Sequence, residues 1–189
     1  MKDAAFTSLK NQFLIAMPQM ADPNFAQTVT YIVDHNEQGA MGLVINKPNG
    51  LNLADVLEQL RPDLEADAIC RSLPIFSGGP VQTDRGFVLH PSGQRFQATL
   101  EIGELALSTS QDVLLAIAAG TGPDKYLITL GYAGWDAGQL EAELLDNTWL
   151  TCPAQHSILF DLPFDQRLNA AAQSLGINLS LLSTQVGHA

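Results

Sequence analysis

Residues 28–46 read TVTYIVDHNEQGAMGLVIN, and this stretch predicts the type of sheet that organises the chain. Residues 28–33 are rich in β-branched and aromatic side chains, which suit a pleated surface. Residues 40–46 form a second apolar run, and the polar segment 34–39 between the two has the composition of a turn. The stretch is therefore predicted to be a β-hairpin with a six-residue connection and two antiparallel strands.

Apolar or alternating runs on either side of the hairpin predict further strands. These runs cover residues 13–17, 75–76, 86–90, 96–102, 126–130, 149–152 and 157–160. Helices are predicted to follow the capping residues Asn52, Ser108 (with Gln111), Asp136 (with Gln139) and Asp165. Residues 46–50 are expected to break the hairpin's second strand, and residues 63–73 to form a weak helix or a loop.

The order of these elements predicts the fold class. Strands and helices do not alternate strictly and the chain opens with a hairpin, so a doubly wound parallel sheet is disfavoured. No internal repeat and no long linker divide the 189 residues. We therefore predict an α+β fold, in which residues 1–189 form a single compact domain around a mixed, largely antiparallel sheet.

The composition of the chain predicts its cellular compartment and excludes some classes of partner. The chain has 9 Lys and Arg against 20 Asp and Glu, a net charge of −11, and 46% of its residues are apolar. Direct DNA binding is not expected, because such binding depends on cations that neutralise phosphates. No secretory signal follows the start at residues 1–3, and no apolar run is long enough to span a membrane. The sequence predicts a cytoplasmic monomer without membrane association.

Motifs for common cofactors and reactions are missing from the sequence. It contains neither the phosphate-binding Gly-x4-Gly-Lys-Ser/Thr loop nor a Gly-x-Ser-x-Gly nucleophile elbow. The four histidines, His35, His90, His156 and His188, lack metal-ligand spacing. We predict no metal, no cofactor and no catalytic residue.

Three local features allow either a functional or a purely structural interpretation. Gly78-Gly79-Pro80 followed by Arg85 suits either an anion-binding loop or a plain turn. Cys152 is either an inert thiol or the partner of His156 four residues later, and Cys70 beside Arg71 raises the same choice.

Trp135 follows the segment Gly131-Tyr-Ala-Gly134, which is predicted to be a loop. Its ring either stands exposed as an anchor for a ligand or partner, or folds down as a lid on the core. In the helix that follows, Glu141 and Glu143 fall on opposite sides, so they are not a paired general acid and base. Both are predicted to be solvated.

Several blocks of sequence occur together in a fixed order. They are FLIAMP at 13–18, residues 22–23, His35 with GAMGLVINKP at 39–48, GGP at 78–80, DRGFVLH at 84–90, residues 109–110 with 112–113, GYA at 131–133 with Trp135, GQLE at 138–141, LDN at 145–147 with WLT at 149–151, and GHA at 187–189. With these blocks, nearly the whole chain resembles the AlgH/YqgE family of bacterial proteins.

The resemblance implies a fold and a broad role. Family members form one α+β unit whose sheet curls into a pseudo-barrel flanked by helices. The family has no established reaction or cofactor, and its name reflects a role in positive regulation of alginate biosynthesis, classed as transcriptional regulation. With so acidic a chain, such regulation is expected to be indirect, through a protein or small-molecule partner.

The matched blocks also contain residues that core packing explains poorly. We predict that some of them form one binding surface or groove: Asp22, His35, Asn46, Lys47, Gly78, Gly79, Arg85, His90, Trp135 and Gln139. The leading hypothesis is a non-enzymatic regulatory protein that acts through this surface. The alternative is an enzyme or sensor that binds a small anionic ligand near Lys47, Arg85 and His90.

Overall fold

A ten-stranded sheet organises the part of the chain that the computed structural model describes, residues 5–185. The strands are β1 (Gln12–Ala16), β2 (Val29–Asn36), β3 (Gly39–Val44), β4 (Pro48–Asn52), β5 (Pro74–Ser77), β6 (Val81–Pro91), β7 (Thr99–Ile102), β8 (Leu105–Ser108), β9 (Leu127–Asp136) and β10 (Trp149–Pro153). The helices are α1 (Leu53–Leu60), α2 (Ala68–Ser72), α3 (Gln111–Ala119), α4 (Gln139–Leu145), α5 (Phe164–Ser174) and α6 (Leu179–Gln185). A π-helical turn spans Ser157–Asp161.

The strand order is β10-β1-β2-β3-β9-β6-β8-β7, with β5 paired to both β4 and β9. The β5–β9 pair is parallel and the other pairs are antiparallel. The sheet curls into a half-barrel with helices packed against it. The predicted α+β class and largely antiparallel sheet are confirmed.

The hairpin of β2 and β3 is antiparallel, as predicted, but the connection between its strands is shorter than predicted. Asn36 pairs with Gly39, so only residues 37–38 lie between β2 and β3, not the six of the prediction. The Asn36 side chain accepts a hydrogen bond from the backbone N–H of Gln38 at 2.8 Å, and Gly39 has φ +139°. This local side-chain bond closes a tight turn that composition alone does not distinguish from a longer one.

Three apolar clusters fill the molecule. The largest joins the main strands to α5 and includes Phe13, Tyr31 and Leu107. The second lies between the sheet and helices α1 and α3. The third contains Trp135 and Trp149 and is covered by α4.

Helix α1 forms as the sequence predicts. The Asn52 side chain accepts from the N–H of Asp55 at 3.0 Å, and the Asp55 carboxylate accepts from the N–H of Asn52 at 2.9 Å. This reciprocal capping box satisfies two backbone donors at the helix start. Leu53 and Leu57 are buried one turn apart, so the predicted apolar face is confirmed.

The other three predicted helix starts are each displaced by two residues. Ser110 rather than Ser108 precedes α3, because Ser108 belongs to β8. Helix α4 begins after Gly138 rather than after Asp136, although Gln139 does accept a hydrogen bond from the N–H of Asp136 at 3.0 Å. Helix α5 begins after Pro163, which places Asp165 in its first turn.

Some predicted elements have another conformation. Residues 157–160, predicted as a strand, form the π-helical turn, in which the consecutive residues Ile158 and Leu159 are both buried. Residues 131–135, predicted as a loop, continue β9 because Gly131 takes φ +77° without breaking the strand. The hairpin's second strand ends at Val44, before the predicted break, but residues 48–52 then form the separate strand β4 rather than a loop. Strand β8 and helix α6 were not predicted.

Within residues 5–185 no helix has the length and apolarity needed to cross a membrane. The predictions for residues 1–3 and for the block at 187–189, including His188, lie outside the described residues.

Candidate functional site

A cleft of about 840 Å³ opens at the sheet, bordered by β3, β6, β7, β8 and β9. Its apolar lining consists of Ala40, Met41, Val81, Phe87, Ala98, Leu100, Leu107, Tyr132, Gly134 and Trp135. Its polar lining consists of Gln82, Arg85, Thr99, Thr109 and Asp136. We call this feature the cleft. Two of the predicted site residues, Arg85 and Trp135, meet there.

An irregularity between β6 and β9 brings Arg85 to the cleft. Val81 pairs with Tyr132 and Gly86 pairs with Leu130, so residues 82–85 bulge out of register. The Arg85 guanidinium lies 5.5 Å from the centre of the Phe87 ring and donates a hydrogen bond to Oε1 of Gln82 at 3.3 Å. Within residues 5–185 it forms no ion pair. These contacts position a cation whose remaining N–H groups are available to a ligand.

Trp135 lies in β9 and is 6% exposed, so it is not an exposed loop anchor. Its ring lines the cleft, and its indole N–H donates to Oε2 of Glu143 at 2.9 Å. The same oxygen accepts the indole N–H of Trp149 at 2.9 Å. Gln139 donates to the other oxygen of Glu143 at 3.0 Å. One carboxylate on α4 therefore holds both tryptophans.

The prediction that Glu143 and Glu141 are merely solvated is wrong, because both carboxylates accept hydrogen bonds from side chains outside α4. His35 is 4% exposed, and its Nδ1 accepts the N–H of Leu9 at 2.9 Å. This places the ring proton on Nε2, which donates to Oε1 of Glu141 at 2.5 Å. His35 joins the segment before β1 to α4, rather than facing the cleft.

The contacts of Glu141 lower the pKa of its carboxyl group. Partial burial raises this pKa, but backbone hydrogen bonding and the hydrogen bond from His35 together outweigh it. The carboxylate is therefore favoured by its surroundings in the folded protein.

His90 is fully buried beneath the sheet surface. Its Nδ1 donates to the carbonyl of Pro91 at 2.8 Å, so its Nε2 accepts the hydroxyl of Ser108 at 2.7 Å. The hydroxyls of Ser108 and Thr99 lie 2.8 Å apart. Although Thr99 lines the cleft, His90 does not, and this chain of hydrogen bonds locks β6, β7 and β8 together.

Lys47, Asn46 and Asp22 lie elsewhere, around the loop that precedes β2. Lys47 donates from Nζ to the carbonyl of Pro23 at 2.9 Å. Asn46 accepts the N–H of Val29 and donates to the carbonyl of Gln27, each at 3.0 Å. Asp22 accepts the N–H of Asn24 at 2.9 Å. The structure does not bring Lys47, Arg85 and His90 into one groove.

Gly78 and Gly79 form a turn whose backbone lies very close to β9. A Cβ on Gly78 would lie 2.3 Å from the carbonyl oxygen of Gly131. A Cβ on Gly79, which has φ +153°, would lie 2.2 Å from the backbone of Tyr132. Neither glycine lines the cleft.

The two cysteines are buried free thiols. Burial raises the pKa of both Cys70 and Cys152, which disfavours the reactive thiolate. His156 lies 3.7 Å from Glu104, and within residues 5–185 the Cys152 thiol is hydrogen-bonded to the carbonyl of Ala171 rather than to His156. Among residues 5–185, no three His, Cys, Asp or Glu side chains are grouped closely enough to hold a metal ion.

The fold and cleft define a half-barrel protein with an open cleft at its sheet, and comparison with known proteins gives its family. The family model DUF179, described as AlgH-like, matches residues 13–180. The UPF0301 protein AlgH of Pseudomonas aeruginosa is 73% identical over 189 residues, which is 100% of both chains. A UPF0301 protein of Stutzerimonas stutzeri is 70% identical with the same coverage. This chain belongs to the AlgH-like family.

Solved structures agree with the fold. The solution structure of the AlgH protein from Pseudomonas aeruginosa matches with a TM-score of 0.82 at 73% identity, covering 100% of each chain. A crystal structure of a protein from Corynebacterium diphtheriae matches with a TM-score of 0.71 at 19% identity, covering 92% of this chain and 91% of that one. At that identity the second match concerns the fold alone.

Proposed function

We propose that this chain is a cytoplasmic regulatory protein that responds to a small molecule bound in the cleft. The cleft itself carries the proposal. Its volume of about 840 Å³ falls in the range of roughly 300–1,000 Å³ that is typical of small-molecule sites. Its lining is mainly apolar with a few polar groups, the usual composition of such sites.

The charge of the chain supports an indirect form of regulation. A net charge of −11 opposes the approach of DNA, because DNA binding releases counterions through Lys and Arg contacts with phosphates. The role in alginate biosynthesis and transcription implied by the family resemblance is therefore proposed to pass through the bound ligand or a protein that recognises the bound state.

The alternative of an enzyme or sensor that binds a small anionic ligand near Lys47, Arg85 and His90 has less support. His90 is buried and engaged by Ser108 and Pro91, and Lys47 is bonded to Pro23 outside the cleft. Of the three, only Arg85 lines the cleft. Ligand binding without catalysis requires only the residues that line the cleft.

A metabolite screen by thermal shift tests the proposal with a matched pair of variants. Ala98→Trp places a large ring at an exposed position that lines the cleft, whereas Gln97→Trp places the same ring at the exposed neighbour that does not. We expect compounds that raise the melting temperature of the wild type and of Gln97→Trp but not of Ala98→Trp. The proposal is wrong if no compound stabilises the wild type, or if both variants respond equally.

A further inference from the structure

The two charged residues that line the cleft have opposite signs. They are Arg85, on the bulge of β6, and Asp136, at the end of β9. We propose that the cleft takes a zwitterionic ligand about as long as a tripeptide, with its anionic group at Arg85, its cationic group at Asp136 and an apolar middle. This inference rests on the proposed function and adds the ligand's chemical class.

Arg85 is suited to hold the anionic group. The side chain is exposed and makes no ion pair within residues 5–185, while Gln82 and the Phe87 ring keep the guanidinium in place. The bond to Gln82 uses a single N–H of the five that a guanidinium carries. The others fit the two oxygens of a carboxylate in a fork.

Asp136 is suited to hold the cationic group. Its backbone N–H is engaged by Gln139, but its exposed carboxylate accepts no hydrogen bond from any group of residues 5–185. Asp34 lines a small neighbouring cavity that shares Ala40, Met41 and Trp135 with the cleft. The local field at this end is therefore negative, which favours an ammonium group.

The strand register gives the spacing between the two charges. Val81 pairs with Tyr132 and Gly86 with Leu130, so the bulge that carries Arg85 lies opposite the middle of β9, about five residues from Asp136. At about 3.3 Å per strand residue, the two backbones are roughly 16 Å apart. Both side chains line the cleft, so the gap between their charged groups is shorter than the gap between the backbones, and we expect it to suit the roughly 10 Å spanned by three extended residues.

The floor between the two charges sets the chemistry of the ligand's middle. Tyr132, Leu107 and Met41 line this region and pack against the main core. A charged or strongly polar group held over these side chains would lose its hydration without gaining a partner. An aromatic or aliphatic group instead gains buried apolar contact there.

Titration with the tripeptide Gly-Phe-Gly tests the two ends separately. The free peptide carries both charges, its N-acetyl form lacks the cation and its C-amide form lacks the anion. For the wild type we expect each block to weaken binding at least about tenfold, the lower end of the range for one lost charged hydrogen bond. In Arg85→Gln, amidation should no longer matter, and in Asp136→Asn, acetylation should no longer matter.

The outcomes separate this inference from the proposed function. The inference is overturned if the free peptide shows no binding by calorimetry at millimolar concentration, or if the blocked peptides bind as well as the free one. In either case the function still stands if the screen finds compounds that Ala98→Trp excludes. Both charge variants change exposed side chains, and circular dichroism verifies that they are folded.

Discussion

The indole N–H of Trp135 lies 2.9 Å from Oε2 of Glu143, while the same ring forms part of the cleft wall. The ring of Trp149 lies 6.1 Å from that of Trp135, and its N–H donates to the same oxygen at 2.9 Å. One carboxylate on α4 thus sets the position of a residue in the candidate binding site. This links the outer helix to the cleft.

Replacing Glu143 by Leu is expected to destabilise the protein. Two indole N–H groups lose their acceptor, and a donor left without a partner costs about 1–3 kcal/mol when buried. Because Glu143 is only partly buried and water can replace it in part, we expect a loss of about 2 kcal/mol in the free energy of unfolding in urea.

Glu143→Gln is the matched control, because its amide keeps an acceptor oxygen. It should lose less than half as much stability, together with a change in tryptophan fluorescence. Equal losses for the Leu and Gln variants would contradict a role based on the acceptor oxygens.

Gly78→Ala is expected to be strongly destabilising. The new methyl group would lie 2.3 Å from the carbonyl oxygen of Gly131, so β5 and β9 would have to move apart. We expect a loss of more than about 3 kcal/mol, typical of a severe core disruption. Gly86→Ala is the control, because its Cβ meets nothing within 4 Å. Comparable melting temperatures for the two variants would rule out the steric explanation.

The hydrogen bond from His35 to Glu141 predicts an acid-sensitive contribution to stability. The folded-state pKa of Glu141 lies below its ordinary value of 4.5, so the unfolded chain binds the proton more readily. The contribution is therefore complete above about pH 4.5 and is lost as the pH falls through the lower, folded pKa. In Glu141→Gln, the decline in unfolding free energy between neutral pH and pH 3 should be shallower. An unchanged slope would show that this carboxylate makes no such contribution.

Neither thiol is expected to react rapidly. Burial raises the pKa of Cys70 and Cys152, so little thiolate forms at neutral pH. A maleimide dye should label the folded protein more slowly than a free model thiol, and label both cysteines once the chain is unfolded. Labelling of either cysteine faster than the model thiol would contradict this expectation and favour a reactive thiol.

Local patterns were enough to predict much of the fold. The hairpin of β2 and β3 and the cap at Asn52 depend on neighbouring residues, and both are present in the structure. The π-helical turn at Ser157–Asp161 was missed because a short apolar run suits a strand equally well. The family resemblance added the curled sheet, which periodicity does not reveal.

The site was predicted only in part because it depends on contacts between distant segments. Arg85 and Trp135 meet through the register shift between β6 and β9, which no local pattern encodes. Lys47 and His90 were grouped with Arg85 by residue type, but their hydrogen bonds hold them elsewhere. The spacing of Gln139 and Glu143, one helical turn apart, was a signal that Glu143 has a partner on α4.

A metabolite screen observed by nuclear magnetic resonance tests the cleft proposal most directly. The indole N–H of Trp135 and the amides of Leu100, Leu107 and Tyr132 report on the cleft, while those of α1 serve as an internal control. We predict that at least one compound shifts the cleft signals in a saturable way and leaves α1 unchanged. A screen without any such compound, or binding compounds whose shifts cluster away from these residues, would contradict the proposal.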